Sequence, residues 1–133
     1  MVSKKPPTRQ VYAPRITLTE KRAIIAACER FITEVLKPRF LPEIRLTEWN
    51  YPVDILGRWH GNRYRFIQRY RSDRPDAIQP EFDASFARLG WISPGLFNVA
   101  WQRHTGEWRI LFERVTLEQA LQLIETEILL HPT

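Results

Sequence analysis

An α+β domain is the fold this chain predicts: an N-terminal helix, an antiparallel β-meander of about five strands, and a C-terminal helix packed on the sheet. Three observations predict it. Apolar residues recur at helical spacing from Ile24 to Leu36 and again from Leu117 to Ile128. Between Ile44 and Arg114 the apolar period drops to two, the signature of half-buried strands. Turn formers punctuate those strands at His60-Gly-Asn62, Ser93-Pro-Gly95 and His104-Thr-Gly-Glu107.

Residues 1–14 hold three of the ten prolines together with Lys4, Lys5 and Arg9, and they read as a flexible basic arm. Residues 15–133 then form a single domain. Thr17-Leu-Thr-Glu20 matches a capping box, in which Thr17 accepts from a first-turn amide and Glu20 reaches back. Ile24, Ile25, Cys28, Phe31, Ile32, Val35 and Leu36 make the helix's apolar face, and Pro38 is expected to end it at or just before Lys37. Ile44–Trp49 and Val53–Trp59 alternate on either side of Pro52, as an edge strand or two short strands. A tight turn leads into Arg63–Arg71, where aromatics and arginines alternate: Tyr64, Phe66 and Tyr70 share one face, and Arg63, Arg65, Arg69 and Arg71 the other. Residues 72–80 are a loop, Phe82–Leu89 alternates again, and Leu96–Arg103 with Trp108–Arg114 makes a second hairpin. Thr116 and Gln119 start the closing helix as a second capping box. Trp101 and Trp108 fall in phase with core positions, whereas Trp49, Trp59 and Trp91 lie near turns and are the tryptophans expected to be exposed.

With 133 residues the chain suffices for one self-supporting core. No apolar run approaches the roughly 20 residues of a bilayer span, and the polar N-terminus lacks the apolar segment of a secretory signal. The single cysteine, Cys28, excludes an internal disulfide framework and fits a reducing, cytoplasmic setting. The net charge of +5 is uneven: +5 over residues 1–38, +3 over 39–114 and −3 over 115–133. Sixteen arginines stand against four lysines, with no lysine after Lys37, a bias expected of a GC-rich bacterial coding sequence.

Few chemistries survive inspection. Cys28 lies on the apolar stripe of a helix, where a small buried hydrophobe is the ordinary reading, and no serine sits in a Gly-x-Ser-x-Gly elbow. His60 and His104 lie in turns and His131 at an end expected to fray; convergence of the first two with Asp54 or Glu107 would need the hairpins side by side, and no spacing matches a metal signature. No catalytic residue, metal or cofactor is therefore assigned. Asp73, Asp76, Glu81 and Asp83 cluster, but no lysine accompanies them as in a common nuclease arrangement; pairing of Glu81 and Asp83 with the arginine strand is the simpler expectation. No glycine-rich phosphate loop is present.

Gly57-Arg-Trp59, the aromatic–arginine strand Tyr64–Arg71 and Trp101-Gln-Arg-His-Thr-Gly-Glu-Trp108 carry a likeness over about residues 40–130. Through them the chain resembles a family of small bacterial proteins catalogued as a domain of unknown function. The resemblance implies a fold and offers no catalytic residue. The function expected from the sequence is thus a non-enzymatic protein-interaction module, self-associating or binding an unknown protein partner. The alternative is nucleic-acid binding by the arginine-rich sheet face. The candidate surface comprises Arg63, Arg65, Arg69, Arg71, Trp59, His60 and His104.

Overall fold

Residues 14–47 and 49–132 are described by the computed structural model, so the expected basic arm lies outside them apart from Pro14. Helix α1 spans Leu18–Phe31, and Thr17 caps it by accepting from the Glu20 amide at 3.1 Å. The reciprocal half of that box is diverted. The Glu20 carboxylate instead accepts from Trp91 Nε1 and from the Gly95 amide, each at 3.0 Å. A buried indole N–H without a partner would be costly, and Trp91 is only 6% exposed despite its place near a turn.

The helix also outlasts its expected end. A π-helical turn, Ile32–Leu36, widens the ladder so that the Lys37 amide donates to Ile32 five residues back. Helix α2, Lys37–Phe40, continues directly from that turn with Pro38, which has no N–H to donate, in its first turn.

Five strands follow: β1 Tyr51–His60, β2 Arg63–Arg71, β3 Glu81–Ser93, β4 Leu96–Gln102 and β5 Trp108–Val115. They form one sheet in the order β1-β2-β3-β4-β5, every neighbour antiparallel. Among the described residues, the alternation at Ile44–Trp49 does not become a strand. Ile44, Leu46 and Trp49 are exposed in irregular chain, and pairing begins only at Tyr51. Pro52 lies inside β1, tolerated because β1 is an edge strand whose register slips between Pro52 and Asp54.

Helix α3, Leu117–Thr126, carries both halves of its capping box between Thr116 and Gln119. A 3₁₀ turn, Ile128–Leu130, follows. The end of α3 is satisfied from outside: Arg39 Nη1 donates to the Glu125 carbonyl at 2.6 Å, and His131 Nε2 lies 2.8 Å from the same oxygen. His131, expected at a frayed end, is half-buried and packs beside Phe40.

Both long helices press their stripes on one face of the sheet. Ile24, Cys28 and Phe31 from α1 and Ala120 and Ile124 from α3 meet Tyr64, Phe66, Leu89, Phe97 and Val99 in one buried cluster. Opposite β2 the alternation of β3 breaks at one place. Phe66 pairs with Ala87 and Ile67 with Ser85, so Phe86 is an extra residue and both Phe86 and Ala87 belong to the core. Beyond that bulge the strand resumes with Leu89 and Trp91 inward and Arg88 on the outer face.

Candidate functional site

The outer face of the sheet is built row by row from the register. Arg58 pairs with Arg65, Arg65 with Arg88, Arg88 with Ala100 and Ala100 with Ile110. Three arginines therefore stand on directly opposed positions of β1, β2 and β3, where like charges are unfavourable. Lower on the same face the arginines are matched. Arg69 makes a two-pronged bond to Asp83, Nε to Oδ1 at 2.8 Å and Nη2 to Oδ2 at 3.2 Å. Arg71 reaches Glu81 Oε2 from Nη2 at 2.7 Å and from Nε at 3.0 Å. The Arg69 bond holds the Asp83 carboxyl below its ordinary range, and the carboxylates in turn raise Arg69 and Arg71.

The upper half has no such partners. Among the described residues Arg63 and Arg65 make no ion pair and no side-chain hydrogen bond, and Arg65 Nε is buried without an acceptor. Arg58 only grazes Asp83, at 3.9 Å. Arg88 lies over the Trp108 ring, its guanidinium carbon 4.5 Å from the centroid. Its pKa is lowered, first by burial and then by Arg63 and Arg65. Burial is thus the larger cause, and the two like charges beside Arg88 add to it.

Beside this cluster the face is hollowed by a depression of about 300 Å³, lined by Asn62, Arg63, Arg88, Gly90, Asn98 and Ile110 among others. Gly90 forms part of it. A Cβ built there would meet nothing nearer than the Asn98 carbonyl oxygen at 3.9 Å. Asn98 is fixed by its Oδ1, which accepts from the Arg114 amide at 3.0 Å. Arg114 adopts a left-handed backbone at φ 55°, a conformation a non-glycine residue holds at a cost of order 1 kcal/mol.

The expected surface is thus only partly assembled. Arg63 and Arg65 stand open, whereas Arg69 and Arg71 are bound to carboxylates. Trp59 belongs to the helix side, packed on Tyr64 with Lys21 Nζ 5.5 Å from its ring. His60 closes β1 at one end of the sheet, and His104 lies in the β4–β5 turn at the other end and the other edge, so they do not converge. Among the described residues no three His, Cys, Asp or Glu side chains gather as metal ligands. Cys28 is fully buried, and desolvation lifts its thiol to about 12, which leaves no thiolate at neutral pH.

Arg58, Arg88, Asn98 and Trp108 escaped the sequence reading. Strict alternation aligns Arg88 with Phe86 and Ala84, and only the bulge turns it outward. Trp108 and Ile110, in phase with Phe112, were expected in the core. Register shifts between β4 and β5 separate them: Phe112 packs on the core, while Ile110 is exposed on the outer face.

A family model described as a domain of unknown function, DUF3024, matches residues 16–129. The chain belongs to that family. The DUF3024 match begins just before α1 and reaches the final 3₁₀ turn, so it contains every strand and both the paired and the open arginines. No curated protein and no solved structure matches the chain. No helix among the described residues is long and apolar enough to cross a membrane.

Proposed function

We propose that the chain is a nucleic-acid-binding module that meets phosphates through the outer face of its sheet. One observation carries the reading: Arg63 and Arg65 of β2 crowd against Arg88 of β3 with no carboxylate partner among the described residues, whereas Arg69 and Arg71 of β2 are each matched by one. Lower on this face Asp83 and Glu81 supply the counter-charge for Arg69 and Arg71. Beside Arg63, Arg65 and Arg88 an external anion would offset the repulsion, and phosphate is the group that planar guanidinium forks suit best. Trp108 adds an aromatic beside the cations, the combination that serves single strands.

Salt-titrated anisotropy with a labelled single-stranded oligonucleotide tests this. Three phosphate contacts give a log–log slope of about −2. The double change Arg65→Ala, Arg88→Ala should flatten that slope, while Arg69→Ala should leave it nearly unchanged. Absence of binding at low salt, or a slope indifferent to Arg65 and Arg88, would refute the reading.

A second reading is self-association. Ile128 and Leu129 are 81% and 53% exposed beside a groove that Trp101 and His104 also line. Light scattering would show a concentration-dependent dimer that Ile128→Ser with Leu129→Ser abolishes; a strict monomer removes this reading.

A further inference from the structure

We propose that the depression over Gly90 is a discrete site for a phosphate monoester, seated between the guanidinium groups of Arg63 and Arg88. The inference rests on the phosphate-binding reading of the outer face and adds to it a preferred charge state and a defined pocket.

Four observations converge. Two arginines, Arg63 and Arg88, line one concavity and no carboxylate lines it. Their combined charge suits a monoester, which carries nearly two negative charges near neutrality, better than an internal phosphodiester with one. Gly90 is not demanded by the backbone, since its φ lies outside the left-handed region, nor by packing, since a Cβ there would come no closer than 3.9 Å to the nearest atom, an ordinary contact. A strand glycine free of both demands is what a close-approaching ligand requires. Asn98 spends its acceptor oxygen on the Arg114 amide, which leaves the NH₂ end of the amide as a donor. Arg114 holds a strained conformation while making that bond. Finally, a volume of about 300 Å³ stands at the small end of ligand pockets, and exposed Ile110 offers an apolar wall to whatever the phosphate esterifies.

The monoester has two possible sources, a free phosphorylated small molecule such as a nucleoside monophosphate, or the terminal phosphate of a nucleic-acid strand. Anisotropy on the full chain would compare a single-stranded oligonucleotide bearing a terminal phosphate with its terminal-hydroxyl twin. The phosphorylated strand should bind about tenfold tighter, one charge-assisted contact's worth. The preference should fade between about pH 7 and pH 5 as the monoester takes up its second proton. Gly90→Val, a strand-compatible change that fills the depression, should cut the preference to within about twofold. The hydroxyl strand's affinity and the thermal midpoint should stay in place. Arg63→Ala should cut the preference likewise, while also lowering the hydroxyl strand's affinity by the one phosphate contact it supplies to the face. Competition by a nucleoside monophosphate with a Kd no weaker than the phosphorylated strand's points to a free metabolite; weak competition points to a strand end. Equal affinity for the two strands, or a preference that survives Gly90→Val, overturns the inference. If neither strand binds, the nucleic-acid reading fails by itself. Titration calorimetry with the nucleoside monophosphate then decides the pocket: heat lost in Gly90→Val upholds it, and no heat in the unaltered chain overturns it.

Discussion

Tyr64 and Gly57 show how tightly single positions on the inner face are set. The Tyr64 ring lies across Gly57 so closely that any Cβ there would collide with it, and the Tyr64 hydroxyl is buried without a partner among the described residues. Gly57→Ala should therefore lower stability by about 1–3 kcal/mol through overpacking. Tyr64→Phe should be neutral or mildly stabilising, because it removes an unsatisfied polar group. Urea midpoints measure both, and a strongly destabilised Tyr64→Phe would mean that the hydroxyl has a partner after all. Cys28 makes a prediction about pH. Its folded thiol sits at about 12 against an ordinary 9.0, raised by burial and then by Glu29. The unfolded chain thus releases this proton first, so the contribution is complete below about pH 9 and is lost as pH rises towards 12. Cys28→Ala should flatten that part of the alkaline stability curve, read as urea midpoint against pH, and native Cys28 should resist thiol reagents until the chain unfolds.

The strand β3 decides which arginines are free. Its first half offers Glu81 and Asp83 to Arg71 and Arg69, and its second half offers Arg88 to Arg65. Neutralising the first half should convert it into more of the second: Glu81→Gln with Asp83→Asn frees two guanidinium groups and should steepen the salt slope on single strands by about 1.4. The stability lost should stay within about 1 kcal/mol per pair, since these bonds are solvent-exposed. An unchanged slope would show that the lower half of the face does not reach the ligand. The carboxylate pairing was legible in the sequence, because Glu81 and Asp83 alternate in phase and need only an antiparallel neighbour. The helices were legible too, from Thr17 and Thr116 as caps and from the apolar stripes. The π turn before Pro38 was not, because it is a packing response that leaves the apolar period nearly intact. Nor was the fate of Ile44–Trp49, since alternation records only that a strand is possible, not that a partner edge is available.

Across the whole molecule, the meander joins each strand to the next by a hairpin or a single loop, and both helices lie on one side of it. Nearly all strand contacts are thus between chain neighbours. Such local topology predicts single-exponential refolding on roughly a millisecond scale. Stopped-flow fluorescence, with buried Trp91 as reporter, would contradict this by revealing a dominant phase of seconds. One-sided cover is also why the outer face has any surface to spend on arginine. The site itself was the least legible part, since it depends on where sheet register slips. Composition counts arginines, but Arg88 and Ile110 reach one face only through irregularities in β3 and β4–β5.

Asp83 and Arg88 are five positions apart, an odd separation that in an unbroken strand puts two side chains on opposite faces. The additional residue at Phe86 makes the odd count behave as an even one. Count and bulge are therefore locked together: ironing the bulge out while keeping every residue would turn Arg88 into the core and Leu89 and Trp91 to solvent. Losing Phe86 altogether is the milder event. The shortened strand regains plain alternation and still points Arg88 outward, at the cost of one buried phenyl ring. In a family member with the same pairing, the parity of the gap between the acid and the arginine thus tells whether its third strand must carry an extra residue: an odd gap demands one, and an even gap forbids it.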